Sequence, residues 1–306
     1  MSANKNMNVH SKIGKSRGHF HLPGGRVGFL LVHGLGGTPV ELRFVAQGLN
    51  RAGYTVLCPL LAGHGGSDIL LNTATWQDWL ETIDRAFDQL KAECDHIIVG
   101  GLSAGSVLSL HLAAKRHDEI EAITLFSPTF WPNGWAIPWY SSLFRLVRHK
   151  CVANLMSLRQ KAPFGIKDER IRRFVLESLQ SDGRPLQDVF GRRGGTVWEF
   201  KAMAGAARKL IGRINKPVLI CHARQDDQSD LSNAFLLQRQ LAGPVDVCIL
   251  DDCYHMVTLD RQRTQVVDRT VAFADGLVLA QNSAGNGLSN TMQESFPAVV
   301  SGPQSA

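Results

Sequence analysis

A single serine lies between glycines at the point where an apolar run ends. Residues 99–107 have the sequence VGGLSAGSV, which places Ser103 between Gly101 and Gly105. A sharp turn from a strand into a helix exposes the side chain at its tip, and flanking glycines remove Cβ atoms that would collide. A plain Gly-Ser turn can have the same pattern, but here a strand-like run precedes it and a helical pattern follows. The stretch predicts Ser103 as a nucleophile.

A serine hydroxyl needs a base that takes its proton, and a third group must hold that base in one tautomer. Where such a turn presents the nucleophile, the chain order is serine, acid, histidine. Of the eleven histidines, only His255 follows the last strand-like run of the chain. His255 is therefore the predicted base. His33 and His64 precede the serine and are interpreted as structural.

The acid should follow the strand-like run at residues 217–221. The loop after that run contains Asp226, Asp227 and Asp230, and the residues alone leave all three open. The two that are not the acid are expected on a solvated loop.

Two backbone N–H groups are expected to bind the oxyanion that forms when the serine attacks. Ala104 follows the nucleophile at the start of a helix, where N–H groups lack intrahelical partners. The second donor should lie in the glycine-rich loop HGLGG at residues 33–37, and Leu35 is the predicted residue.

Short apolar runs that alternate with helical stretches should position these groups. The runs are too short for helices and rich in β-branched residues or leucine, as in strands buried on both faces. Helix starts are predicted at Thr38, as a capping box with Pro39 at the first helical position, and at Thr75. This alternation predicts the α/β class, with a mostly parallel sheet and helices on both faces. The predicted strands are residues 26–32, 54–57, 96–99, 122–126, 217–221 and 245–250.

The chain has 306 residues and a hydrophobic content of 44%, enough for one large core. One domain is predicted over residues 19–280, after a flexible N-terminus at 1–18. The alternation lapses over about 130–215, which is too long for a loop and indicates an inserted helical cap. The polar, patternless tail at 281–306 is predicted to be disordered.

The inserted cap begins with aromatic residues, and we assign Trp131, Trp135 and Trp139 to substrate binding. A hydrophobic seam between the cap and the core explains the same residues equally well. Residues 145–213 contain sixteen Lys and Arg against six Asp and Glu, a net charge of +10, whereas the rest of the chain has a net charge of −4. A solvated surface, anionic substrates, acyl-CoA-like thioesters and acidic lipid surfaces all suit this charge.

Several classes of protein are disfavoured. No apolar stretch is long enough for a membrane helix, and the N-terminus has no apolar signal region. No metal motif, dinucleotide fingerprint, P-loop or nucleic-acid motif is present, so we expect no cofactor and no nucleic-acid partner. The six cysteines contain no C-x-x-C pair, which indicates a reducing cytoplasm. The oligomeric state stays open.

Six motifs are spread along the chain: LVHGLGG (31–37), LAGHG (61–65), WQDW (76–79), GGLSAG (100–105), ARQD (223–226) and HMVTLD (255–260). Through these motifs the sequence resembles the α/β-hydrolase superfamily and, within it, the bacterial carboxylesterases and monoacylglycerol-lipase-like enzymes. The resemblance extends over roughly residues 19–275. The sequence departs from the family at the inserted segment and at Ala104-Gly105-Ser106, where a double glycine is frequent after the nucleophile.

The resemblance implies an α/β-hydrolase fold, and it selects Asp226 as the acid over Asp227 and Asp230. It also places the oxyanion donor at Leu35. It implies a serine hydrolase that cleaves carboxylic esters with small or lipid-like acyl groups, monoacylglycerols among them. A thioesterase or lactonase would use the same residues. A binding protein without catalysis is the alternative outside enzymes, because fold alone does not establish activity.

Overall fold

The structure is a computed structural model that describes residues 18–66, 68–159, 162–180 and 191–285. The predicted flexible N-terminus, except for Gly18, and the predicted tail beyond residue 285 lie outside these ranges. The last helix continues to Gly285, past the predicted boundary of the domain at residue 280.

A seven-stranded sheet forms the centre of the molecule, with the strand order β1-β3-β2-β4-β5-β8-β9. Strands β2, β3, β4, β5, β8 and β9 pair in parallel, and β1 is antiparallel to β3. The predicted α/β class with a mostly parallel sheet is confirmed. The strands are β1 (Phe20–Leu22), β2 (Val27–Val32), β3 (Thr55–Cys58), β4 (His96–Leu102), β5 (Ala122–Phe126), β6 (Ser157–Arg159), β7 (Gly191–Arg193), β8 (Val218–Ala223) and β9 (Val245–Leu250).

Helices cover both faces of this sheet. One core contains Trp79, Phe87 and Met203 from helices on one face, and the second contains Leu49 and Val266 from helices on the other. Burial of both faces explains why most strands lack an alternating pattern. The helices are α1 (Arg43–Arg51), α2 (Asp68–Thr73), α3 (Trp76–Lys91), α4 (Ala104–Lys115), α5 (Lys150–Ala153), α6 (Glu169–Gln180), α7 (Gly194–Ala207), α8 (Ser232–Gln240) and α9 (Arg263–Gly285).

The parallel strands end at one edge of the sheet. Val32 of β2 pairs with Gly101 of β4, and Phe126 of β5 pairs with both Leu102 of β4 and Cys221 of β8. The loops that follow these strands therefore meet, as expected where an open α/β sheet holds its site.

The two predicted helix starts have different outcomes. Thr75 forms a capping box with Asp78, so that start is confirmed. The capping box at Thr38 is wrong. A 3-10 turn (Pro39–Leu42) begins there without a side-chain cap, because the Glu41 carboxylate instead accepts a hydrogen bond from the backbone N–H of Gly34.

The inserted segment is not wholly helical. Besides α5 and α6 it contains a two-stranded antiparallel sheet of β6 and β7. Helix α7, within the predicted cap, packs into the main core through Phe200, Met203, Ala204 and Ala207. We use "cap" below for residues 130–193.

Candidate active site

Ser103 occupies the turn between β4 and α4 in a backbone conformation that non-glycine residues seldom adopt. Its φ is 57° and its ψ is −116°. A Cβ on Gly101 would lie 2.5 Å from the carbonyl oxygen of Val32, and one on Gly105 would lie 2.5 Å from that of His33. The flanking glycines are therefore required because β2 and its loop pass directly beside the turn.

The structure brings Ser103, His255 and Asp226 together from three separate loops. The Nε2 atom of His255 lies 2.9 Å from the Oγ of Ser103. The Nδ1 atom of the same ring lies 2.8 Å from Oδ2 and 3.0 Å from Oδ1 of Asp226. Because a carboxylate only accepts, Nδ1 carries the proton and Nε2 is left to accept the hydrogen of the serine hydroxyl.

Asp226 is buried and surrounded by donors. Its Oδ1 accepts hydrogen bonds from the backbone N–H groups of Gln228 and Ser229, each at 2.8 Å. The Nε2 of His222 donates to the carbonyl oxygen of Ser229 at 2.8 Å and lies 3.3 Å from Oδ2. Burial alone would raise the pKa of Asp226, but His255 and His222 outweigh it and hold that pKa well below its usual value. The sequence reasoning missed His222.

The environment of His255 favours its protonated form. Burial acts to lower the pKa of the ring, but the negative charges of Asp226, Asp227 and Glu41 outweigh it and raise the pKa above the ordinary 6.5. A base poised in this way accepts a proton more readily than a free histidine does.

Two further hydroxyl groups connect the nucleophile to the acid loop, which we define as residues 224–231. The Oγ1 of Thr129 lies 3.3 Å from the Oγ of Ser103 and 2.9 Å from the Oγ of Ser229. The Oγ of Ser229 in turn lies 3.5 Å from Nδ1 of His255. Neither residue follows a sequence motif, and no local signal could have found them.

The glycine-rich loop after β2 lies against the nucleophile. A Cβ on Gly34 would be 3.7 Å from that of Ser103, and Leu35 follows it directly. His33 is anchored within the turn, with Nδ1 2.9 Å from the carbonyl oxygen of Gly34 and Nε2 accepting from the N–H of Leu61 at 3.1 Å. Burial, reinforced by His64, holds the pKa of His33 well below its usual value, so the ring is neutral and structural. Ala104 is the first residue of α4.

The three aspartates of the acid loop occupy different environments. Asp230 is exposed, and its Oδ1 accepts from the N–H of Ser232 at the start of α8. Asp227 is buried, so the expectation of a solvated position is wrong for it. Burial outweighs its partners and raises its pKa.

The three cap tryptophans have separate contacts. Trp131 is half-buried, packs against the main core and lies under the guanidinium of Arg208. The Nε1 of Trp135 donates to the carbonyl oxygen of Gln225 at 3.1 Å, and its ring packs edge-on against Tyr254. Trp139 is 82% exposed. The first two thus have contacts of a seam, while the third offers free apolar surface.

Within the described ranges, no cluster of three or more His, Cys, Asp or Glu side chains could hold a metal ion. No helix of those ranges has both the length and the hydrophobicity needed to cross a membrane.

A serine, a buried carboxylate and a histidine, in that chain order at the carboxyl edge of a mostly parallel sheet, define the architecture of an α/β-hydrolase. Residues 26–262 match the model of the family described as "Serine aminopeptidase, S33". The chain belongs to this hydrolase family.

Named relatives and solved structures agree with this assignment. The thermostable monoacylglycerol lipase of Bacillus sp. (strain H-257) is 25% identical over 262 residues, which cover 83% of this chain and 92% of the lipase. The carboxylesterase of Bacillus subtilis (strain 168) is 22% identical over 273 residues, which cover 84% of this chain and 96% of the esterase.

Two solved structures share the fold. A structure from work on the metagenome-derived lipolytic enzymes LipS and LipT has a TM-score of 0.69 at 25% identity and covers 84% of this chain and 96% of that one. The monoacylglycerol lipase of Paleococcus ferrophilus has a TM-score of 0.67 at 16% identity, with coverage of 85% and 98%.

Proposed function

We propose that this protein is a serine hydrolase that cleaves carboxylic esters with small or lipid-like acyl groups, monoacylglycerols among them. The observation that carries the proposal is the hydrogen-bonded series from Ser103 Oγ through His255 to Asp226, at 2.9 and 2.8 Å. The names of the two Bacillus relatives support the ester class. All six cysteines are free and five are buried, which supports a cytoplasmic location.

The proposed reaction proceeds through an acyl-enzyme. Ser103 Oγ attacks the ester carbonyl carbon while its proton passes to Nε2 of His255, and Asp226 stabilises the resulting imidazolium. The oxyanion accepts hydrogen bonds from the backbone N–H groups of Leu35 and Ala104.

The tetrahedral intermediate that carries this oxyanion then collapses and forms the acyl-enzyme. Its bond to the alcohol breaks, and the alcohol leaves with the proton from His255. A water then attacks the acyl carbon and gives its proton to Nε2. The carboxylic acid product departs, and the proton on His255 returns to Ser103 Oγ.

A fluorophosphonate probe tests the nucleophile directly. We expect the wild-type protein to be labelled at Ser103, located by peptide mass spectrometry, and Ser103→Ala to stay unlabelled at an unchanged melting temperature. Ser106→Ala, in the same turn but with its hydroxyl bonded to the carbonyl oxygen of Gly101, is the matched control and should still be labelled. An unlabelled wild type would leave a binding protein as the better description.

A substrate panel tests the ester class. p-Nitrophenyl esters of increasing chain length, a monoacylglycerol, an acyl-CoA thioester and a lactone should be turned over with the highest kcat/KM for one of the esters. A higher kcat/KM for the thioester or the lactone would replace the ester assignment while keeping the same three residues.

A further inference from the structure

Two buried carboxylates near the site have no part in the proposed series of Ser103, His255 and Asp226. Asp227 is 1% exposed and Asp260 is 0% exposed. Burial of an ionised carboxylate is costly unless several donors satisfy it, so both require an explanation.

Asp227 connects the cap to the proposed base. Its Oδ2 accepts the backbone N–H of Gly165 at 2.9 Å, and its Oδ1 accepts the backbone N–H of His255 at 3.3 Å. The carbonyl oxygen of Gly165 in turn accepts the N–H of Met256 at 2.8 Å. The Asp227 carboxylate therefore binds the backbone of the cap at Gly165 and the backbone of the loop that carries His255.

Asp260 makes a second connection between the same two segments. Its Oδ2 accepts from the N–H groups of Lys167 at 2.7 Å and Tyr254 at 2.8 Å. Its Oδ1 accepts from the N–H groups of Asp168 and Arg261, each at 3.0 Å. The cap segment 162–168 and the histidine loop, which we define as residues 251–262, are thus joined through hydrogen bonds from their backbone N–H groups to one buried carboxylate.

The two segments also touch without space between them. A Cβ on Gly165 would lie 3.2 Å from the Cβ of His255 and 2.8 Å from the Cγ of Met256. Gly165 has a φ of +80°, which favours glycine. A displacement of the cap segment would therefore move the backbone of His255.

We propose that Asp227 is a positioning residue through which the cap segment 162–168 fixes His255, so that the seating of the cap sets the rate of turnover. This inference rests on the proposed function. It implies that an acyl group that displaces the segment lowers kcat as well as affinity, because a base about 1 Å out of place loses up to about a hundredfold in rate.

Asp227→Asn tests this directly. The amide can accept from one of the two N–H groups, but its own NH₂ then faces the other, so one connection breaks. The negative charges that raise the pKa of His255 come from Asp226, Asp227 and Glu41, and the variant removes one of them. We expect kcat to fall about ten- to a hundredfold with little change in KM. The acid limb of the pH profile should move to lower pH, because a less stabilised imidazolium loses its proton at a lower pH.

The matched control is Asp252→Asn. Asp252 pairs with Lys167 at 2.9 Å and joins the same two segments, but the Asp252 carboxylate is exposed and Lys167 is only partly buried. Exposed pairs contribute little, so kcat and the pH profile should stay as in the wild type.

Gly165→Ala is a second variant that keeps both carboxylates. Its added methyl group presses on His255 and Met256, so kcat should fall while the midpoint of the acid limb stays in place. This variant keeps the inference testable even if Asp227→Asn does not fold.

The measurements are the rate of fluorophosphonate labelling against pH, kcat and KM for one p-nitrophenyl ester, and the melting temperature. An unlabelled wild type would contradict the proposed function itself. Wild-type labelling, together with variants that lose only melting temperature and keep kcat and the pH profile, would overturn the inference and leave Asp227 as a structural residue.

Discussion

The side chains of the loops around Ser103 and those on the outer surface of the cap have opposite environments. His255, Asp226 and Asp260 are buried, and each is hydrogen-bonded to a distant segment of the chain. In the cap, Trp139, Leu146 and Leu155 are 82%, 76% and 88% exposed. Buried polar groups need fixed partners, whereas exposed apolar side chains are free to contact another molecule.

The difference indicates a division of work between the two regions. Changes in the site loops should affect the chemical step, and changes at the outer cap should affect the choice of substrate. Substitutions made in one region at a time should separate the two effects.

Asp226→Asn should have the largest effect, a loss of about 10⁴-fold in kcat, because the amide no longer selects the tautomer of His255. Asp230→Asn is the control on the same loop, and it keeps an oxygen that can cap α8. Steady-state kinetics with one ester should show the control within about twofold of the wild type. Equal losses in both variants would show that the acid is assigned incorrectly.

The pH profile should show the next largest effect. His255 accepts a proton only when neutral, and its pKa is raised above the ordinary 6.5. Below that raised pKa, kcat/KM should fall about tenfold per pH unit. Glu41→Gln removes one of the charges that raise the pKa, so its acid limb should lie at lower pH than that of the wild type. An acid limb below pH 6 in the wild type would contradict the electrostatic description of the site.

Substitutions of two cap tryptophans should have different effects, one on stability and the other on substrate selectivity. Trp135→Ala loses the bond to Gln225 and the ring contact with Tyr254, so its melting temperature should fall. Trp139→Ala should keep its melting temperature and raise KM by up to about tenfold for long acyl chains only. Equal KM changes for short and long chains in Trp139→Ala would remove this residue from substrate recognition.

The basic charge of the cap should have the smallest effect. Arg192 and Arg193 both lie in the basic stretch at residues 145–213. Arg193 is exposed on β7, and the side chain of Arg192 is outside the described residues. Arg193→Glu should weaken turnover of an anionic ester by up to about fivefold relative to a neutral one, and added salt should reduce the difference. The same change for both esters at any salt concentration would identify the charge as an ordinary solvated surface.

The sequence predicted the parts of the fold that depend on local patterns. The apolar runs predicted the six parallel strands, and Gly101 and Gly105 predicted the turn at Ser103. Strand β1 (Phe20–Leu22) was not predicted, because three residues at an edge have no usable periodicity. The choice of Asp226 needed family resemblance, since neighbouring aspartates are indistinguishable by type.

What the sequence missed depends on contacts between distant residues. Asp227 and Asp260 receive hydrogen bonds from backbone groups of the cap segment, far away along the chain. The capping box at Thr38 failed for a more local reason, because the Glu41 carboxylate accepts the N–H of Gly34, seven residues earlier in the chain. A local pattern predicts what a residue can do, and the fold decides which partner it has.

The glycines at the end of β4 also bear on how this protein could be re-engineered. A side chain at Gly100 would collide with Thr124, and one at Gly101 or Gly105 would meet the backbone of β2 and its loop. In a saturation library with selection for activity, these three positions should return only glycine. The exposed cap positions, such as Trp139 and Leu155, should accept most substitutions, so a search for new selectivity is best concentrated there.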